Sequence, residues 1–239
     1  MIRGADFSSY QDDAALERAL AQGIGFAIVK LTEGTGYVNP RAVHQLEVLR
    51  AHGLRCGVYE FLDPEQGPPQ WAFFQQRLEQ LPHHQELVVA IDYEAARTTD
   101  AEAAAFVAAG REAGYSVGLY SSSGTHAYAK LGQAWHWVAS WDLPKGQTPA
   151  PPWDVWQFAP GRGGDPDWNV FHGDRTRLAL FWHAHAGRHR PRRFHVVFPG
   201  RPQVVLGPYK TLRAAAARAL AYALRHPLRR SYTVTRTGG

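Results

Sequence analysis

The feature that most constrains this chain is a repeated alternation: short apolar runs, each followed by a stretch of helical period. The runs Ile2–Asp6, Phe26–Leu31, Gly57–Phe61, Leu87–Asp92, Ser116–Tyr120, Trp137–Ser140 and Val155–Phe158 read as strands. Between the first five lie helical patterns at Ala14–Gln22, Arg41–His52, Pro69–Gln80 and Ala101–Ala113. Gly23, Gly53 and Gly114 follow three of these, where glycine relieves left-handed strain at a helix end. Strands separated by helices form parallel sheets, because a parallel partner needs a long crossover. After Ser140 the helical pattern fades and Pro144–Pro152 is a Pro-rich loop, so the last strands follow one another with little helix between. The pattern predicts a barrel of about five β/α units with an all-β closure.

The alternation does not run the length of the chain. All 21 Asp and Glu residues lie at or before Asp174, and all eight Trp at or before Trp182. Residues 1–187 carry 14 Lys and Arg against those 21 acids, a net charge of −7, whereas residues 188–239 carry 12 and no acid, a net charge of +12. Two domains are expected: a barrel over 1–187 and a basic module over 192–239. In the module, Phe194–Phe198 and Gln203–Leu206 read as strands around a Pro199-Gly200 turn, Ala214–Arg225 as a helix, and Tyr232–Thr235 as a closing strand, a ββαβ order. The N-terminus Met1–Asp6 has no apolar signal core, and no run is long enough to span a membrane.

In a parallel barrel the chemistry sits at the C-terminal strand ends. Here those ends carry Asp6, Thr32-Glu33-Gly34, Tyr59-Glu60-Phe61, Asp92-Tyr93-Glu94, Tyr120-Ser121-Ser122, Ser140-Trp141-Asp142 and Trp156-Gln157-Phe158. Asp92 and Glu94 stand two apart and so share one face of the strand, their Cα atoms about 6.7 Å apart. Paired carboxylates suit glycoside hydrolysis, in which one protonates the leaving oxygen while the other attacks or stabilises the sugar centre. Once the side chains lean, the carboxyls come to lie between the retaining and inverting separations, which leaves the stereochemistry open. Aromatic side chains around such a pair offer faces for sugar rings.

Other constellations carry less. His83-His84, His183-x-His185 and His189 lack a closed ligand set, so no metal or other cofactor is expected. Ser121-Ser122-Ser123-Gly124 lacks the nucleophile elbow of serine hydrolases. Cys56 precedes a strand instead of ending one, which argues against a nucleophile. A chitinase-like Asp-x-x-Asp-x-Asp-x-Glu fails because Leu87 and Ala90 occupy the two earlier acidic positions.

Several segments in order resemble one known family. Gly4-Ala5-Asp6-Phe7-Ser8-Ser9-Tyr10-Gln11, Phe26–Gly34, Ile91-Asp92-Tyr93-Glu94, Gly118–Ser122, Trp156-Gln157-Phe158 and Asp167-Trp168-Asn169-Val170-Phe171 are similar to glycoside hydrolase family 25, the muramidases or lysozymes of the phage endolysin type, over about residues 1–182. The resemblance implies an irregular TIM-like (β/α)5β3 barrel and cleavage of the β-1,4 bond between N-acetylmuramic acid and N-acetylglucosamine in peptidoglycan. It implies Glu94 as general acid, Asp92 as its partner, and Asp6 and Asp167 as outer acids. Glu33, Tyr59, Tyr120, Trp141, Gln157 and Asn169 are the expected substrate-binding residues.

Two departures from the family pattern matter. Tyr59-Glu60-Phe61 stands where Tyr-His-Phe is common; an outward Glu60 is structural only, and an inward one adds an acid to the site. The short loop Pro160–Pro166 makes Asp165 a rival to Asp167. The expected partners are peptidoglycan and, through the basic module, anionic wall polymers, with nucleic acid the weaker alternative. The protein is expected to be made in the host cytoplasm and to reach the wall through a holin or another route. A non-cleaving carbohydrate-binding descendant of the barrel is the competing reading.

Overall fold

The computed structural model describes residues 1–64, 67–122 and 130–187, with the strands 193–198, 204–209 and 233–237 beyond them. The chain divides into two compact units, Met1–Arg188 and His189–Gly239.

In the first unit the order is β1 (Ile2–Phe7), α1 (Asp13–Ala21), β2 (Phe26–Glu33), β3 (Tyr37–Val38), α2 (Ala42–Ala51), β4 (Arg55–Phe61), α3 (Gly67–Leu78), β5 (Val88–Asp92), α4 (Asp100–Glu112), β6 (Val117–Ser122), β7 (Trp135–Ala139), β8 (Val155–Ala159), β9 (Asp167–Phe171) and α5 (Arg175–His185). Strands β1-β9-β8-β7-β6-β5-β4-β2 close into an eight-stranded ring through a β1–β2 pairing, and β3 hangs on β2. All ring pairings are parallel except those of β9, which is antiparallel to both β8 and β1. The cause is local. The segment 160–166 between β8 and β9 is too short for a crossover, so the chain must turn back on itself. The segment 140–154 between the parallel β7 and β8 is long enough to cross over without a helix.

The helices start and stop on identifiable signals. Asp12 caps α1 through Ala15 N, and Thr99 and Glu102 form a reciprocal capping box at α4. Gly23, Gly53 and Gly114 have φ of 70°, 76° and 91°, the left-handed values expected after α1, α2 and α4. The helix α5, the strand β9 and the short β3 are additions to the sequence reading. The signal for α5 was present in Asp174, which caps Arg177 N, and in Leu178, Phe181 and Trp182 at i, i+3, i+4. Strand β4 starts two residues earlier than expected and so contains Cys56.

Strand alternation sorts the buried side chains into two layers. Phe26, Ile28, Val88, Ala90, Trp135, Trp137, Val155 and Phe171 point into the ring. At its N-terminal end Phe181 packs on Trp135 and Phe171, with centroids 5.5 and 5.2 Å apart, and Trp182 on Phe26 at 5.6 Å. Helix α5 is therefore the floor of the barrel, and only the opposite rim is left for a cleft. The outer layer, including Val29, Val58, Ile91 and Leu119, packs against Leu16, Leu46, Trp71, Phe74 and Phe106 of the surrounding helices. No helix among the described residues is long and apolar enough to cross a membrane.

The second unit contains β10 (Arg193–Phe198), β11 (Val204–Tyr209) and β12 (Thr233–Thr237) in the order β11-β10-β12, both pairings antiparallel. All three expected strands are present with shifted ends. The expected Pro199-Gly200 turn and the Ala214–Arg225 helix lie outside the described residues.

Candidate active site

At the rim opposite α5 the strand ends enclose a cleft of about 180 Å³ lined by Asp6, Asp92, Glu94 and Asp167, with Lys30, Tyr59, Tyr120, Trp137 and Gln157 among the other walls. Each acid arrives by a different backbone argument. Asp6 comes near the end of β1, and Asp92 ends β5, where it pairs with Phe61 of β4 and Tyr120 of β6. Glu94 follows two residues later on the same face. Asp167 begins β9, and because β9 runs antiparallel, its first residue lies at the rim where the other strands finish. It faces Asp6 directly in the β1–β9 ladder. Its rival Asp165 instead forms a surface ion pair with Arg18 at 2.6 Å.

A single amide joins the outer acids. Gln157 Nε2 donates to Asp6 Oδ2 at 3.0 Å and to Asp167 Oδ2 at 3.2 Å. Its Oε1 accepts from the Tyr120 hydroxyl at 3.1 Å and from Trp141 Nε1 at 3.0 Å. Both ends of the amide are used, so only one orientation satisfies all four contacts. Beneath it, Trp137 Nε1 donates to Asn169 Oδ1 at 2.7 Å, and Asn169 Nδ2 donates to Asp6 Oδ2 at 2.6 Å. The indole of Trp137 also packs against the rings of Tyr120 and Tyr59, at 4.7 and 5.8 Å. Asp167 Oδ1 accepts from Gly161 N at 2.5 Å.

Burial raises the pKa of all four acids. Burial raises the pKa of Asp6, the charge of Asp167 adds to this, and hydrogen bonds from Gln157 and Asn169 oppose it. Burial likewise raises Asp92, with Glu94 the next cause, and its Oδ1 has no hydrogen-bond partner. Asp167 is raised by burial against its Gly161 hydrogen bond. Although the Glu94 side chain is exposed at the cleft mouth, its carboxyl loses enough water among these groups to be raised. The charge of Asp167 acts in the same direction, while a hydrogen bond with Tyr120 and the charge of Lys30 oppose it. A carboxyl that holds its proton above the ordinary range, beside one with a free oxygen, is the arrangement that proton donation to a glycosidic oxygen requires.

Of the expected binding residues, Tyr59, Tyr120 and Gln157 line the cleft. Asn169 is fully buried below it and acts on Asp6, while Trp141 stands at the edge, 49% exposed, tied to Gln157. Glu33 is not part of the lining; it reaches the cleft only through an ion pair with Lys30. Glu60 points away from the cleft into the layer between strands and helices. There it is fully buried, Oε2 accepts from the Thr32 hydroxyl, and Oε1 has no partner. The departure at residue 60 is therefore outward. Cys56 is buried, and burial pushes its thiol up to about 12, so it has no nucleophilic character. Ser8, Tyr10, Lys30 and Trp137 were not anticipated as lining residues. The signal for Lys30 was a lone cation inside the apolar run Phe26–Leu31.

Solved structures share this architecture. A family 25 glycosyl hydrolase from Bacillus anthracis superposes with a TM-score of 0.63 at 22% identity, over 75% of this chain and 93% of that one. A GH25 lysozyme from Aspergillus fumigatus gives 0.63 at 20% identity, over 78% and 99%. The catalytic domain of an endolysin from bacteriophage P40 of Listeria monocytogenes gives 0.57 at 21%, over 76% and 97%. At these identities the likeness is one of fold. No curated protein matches the sequence. The sequence profile described as Glycosyl hydrolases family 25 matches residues 5–162, about two thirds of the chain, and includes Asp6, Asp92 and Glu94. The chain belongs to glycosyl hydrolase family 25, the family of the muramidases, and is a glycoside hydrolase.

Proposed function

We propose that this muramidase cleaves the β-1,4 bond between N-acetylmuramic acid and N-acetylglucosamine in peptidoglycan and serves as a phage endolysin in host lysis. The observation that carries the reading is the convergence of Asp6, Asp92, Glu94 and Asp167 on one cleft, with the Glu94 carboxyl at its mouth. Glu94 holds its proton above the ordinary carboxylate range and delivers it to the leaving oxygen. Asp92, with Oδ1 unpartnered, orients or polarises the substrate's 2-acetamido group. Asp6 and Asp167, held together by Gln157, line the subsite and tune the Asp92–Glu94 pair. The basic module anchors the enzyme to anionic wall polymers. Synthesis in the host cytoplasm, followed by release through a holin or another route, completes the proposal.

Turbidity clearing of Gram-positive walls tests the catalytic assignment. Glu94→Gln keeps the shape and removes the transferable proton, and clearing is expected to fall by about 10²–10⁴-fold. Equal clearing by the variant, or none by the parent protein, would defeat the assignment.

A further inference from the structure

Lys30 is the one cation among the described residues that line a cleft walled chiefly by acids and aromatics, with Ser8 and Gln157. Its position is fixed from several sides. The ammonium pairs with Glu33, three residues along the same strand, and lies 4.5 Å from the centre of the Phe61 ring and 5.7 Å from that of Tyr37. The Lys30 side chain is only 13% exposed, so water screens its charge weakly. Lys30 faces inward beside Tyr59 in alternation with the inward Ile28, and the irregularity between Lys30 and Thr32, where β2 slips against β4, turns Thr32 to Glu60 in the outer layer. One strand thus supplies a cation to the cleft and a hydroxyl to the outer layer.

We propose, building on the muramidase reading, that Lys30 is a positioning residue that assigns the cleft's charges, holding Asp92 ionised so that the proton stays on Glu94. Asp92 has a buried oxygen with no hydrogen-bond donor, so an anion there has little but Lys30 to balance it. The charges that face this pair come from every wall. Asp6 on β1 and Asp167 on β9 disfavour ionisation of Asp92, as does Glu94, while Glu33 partly neutralises Lys30 itself. Tyr59 on β4 and Tyr120 on β6 are neutral walls, their hydroxyls raised by burial beside the acids. Lys30 opposes the rise of Asp92 ahead of Asp6 and Asp167, and for Glu94 it comes last among the causes. Asp92 is buried and Glu94 is exposed, so water screens the charge of Lys30 less on its way to the group that must be charged.

The experiment is the pH dependence of kcat/KM on soluble peptidoglycan fragments. The acid limb reports ionisation of the group that must be charged in the free enzyme. In Lys30→Gln this limb is expected to move up by about one pH unit or more, and Lys30→Arg is expected to restore it. Glu33→Gln, which frees the ammonium from its partner, is expected to move the same limb down. Should turnover of Lys30→Gln be too slow for a profile, carboxyl ¹³C titration of Asp92 reads the same shift directly. An acid limb, or an Asp92 titration, unchanged in Lys30→Gln overturns the proposal, as does an upward move in Glu33→Gln. Loss of clearing by Glu94→Gln with no shift in Lys30→Gln would sink this inference and leave the muramidase reading standing.

Discussion

Glu60 shows how one residue can be decided by the layer it faces. Its neighbour Tyr59 lines the cleft, yet Glu60 lies among helix-facing residues, where the Thr32 hydroxyl is its only hydrogen-bond donor among the described residues. Burial pushes its carboxyl up to about 9, against opposing contributions from Thr32 and Lys30. The consequence for stability has a definite sign. In the unfolded chain Glu60 releases its proton near pH 4.5, while in the folded protein it keeps that proton until about pH 9. Across that window the folded state binds one more proton than the unfolded one, so stability falls as pH rises, by up to about 1.4 kcal/mol per pH unit from this group. Below the window both states are protonated and the effect vanishes. Glu60→Gln keeps the size and the Thr32 contact and has nothing to titrate. Its melting temperature relative to the parent protein is therefore expected to rise steadily from pH 5 to pH 8. Parallel melting profiles for the two proteins would show that Glu60 is not held neutral.

Among the elements, the barrel interior is filled by unequal strands, small residues of one making room for aromatics of the next. Gly118 on β6 is the tightest case: a Cβ there would stand 2.1 Å from the Trp135 indole of β7, which is itself packed on Phe181 of α5. Gly118→Ala must displace that indole or bend the strand, and overpacking of this kind costs about 1–3 kcal/mol. Gly36→Ala, where nothing lies within 4 Å, is the matched control and is expected to stay within about 0.5 kcal/mol of the parent protein. Urea unfolding of both variants decides it; equal stability would mean that the interior is not packed as described. The same elements show what a sequence can and cannot carry. Asp92 and Glu94 were legible because a period of two needs no knowledge of the rest of the fold. That Asp167 faces Asp6 was not, because it depends on β9 running backwards, which follows from a seven-residue connection and from ring closure together. Helix α5 escaped because its apolar residues plug a barrel end and produce only a short stripe. Lys30 was hidden because a lone lysine in an apolar strand announces an exception without saying which face it serves.

For the whole molecule, the charge split poses a physical problem that the proposed wall anchoring by the basic module would answer. Residues 1–187 carry a net charge of −7, and a body of that sign is repelled by the polyanionic surface of a Gram-positive wall. The net +12 of residues 188–239 would reverse the sign of such an encounter without placing any cation beyond Lys30 among the described residues of the cleft. Anchoring of this kind is carried by many weak ion contacts, so it depends steeply on ionic strength; the screening length shrinks to about 10 Å at 0.1 M salt and about 3 Å at 1 M. The full chain is therefore expected to co-sediment with purified walls at low salt, to be released between about 0.1 and 1 M, and to bind weakly to walls stripped of their phosphate polymers. A duplex DNA of equal charge separates the two anions, because a module shaped for walls leaves most protein on them in competition, whereas a nucleic-acid module transfers to the duplex. Wall binding indifferent to both salt and polymer removal would mean that the cleft alone holds the substrate, and that the twelve cations of residues 188–239 serve another partner.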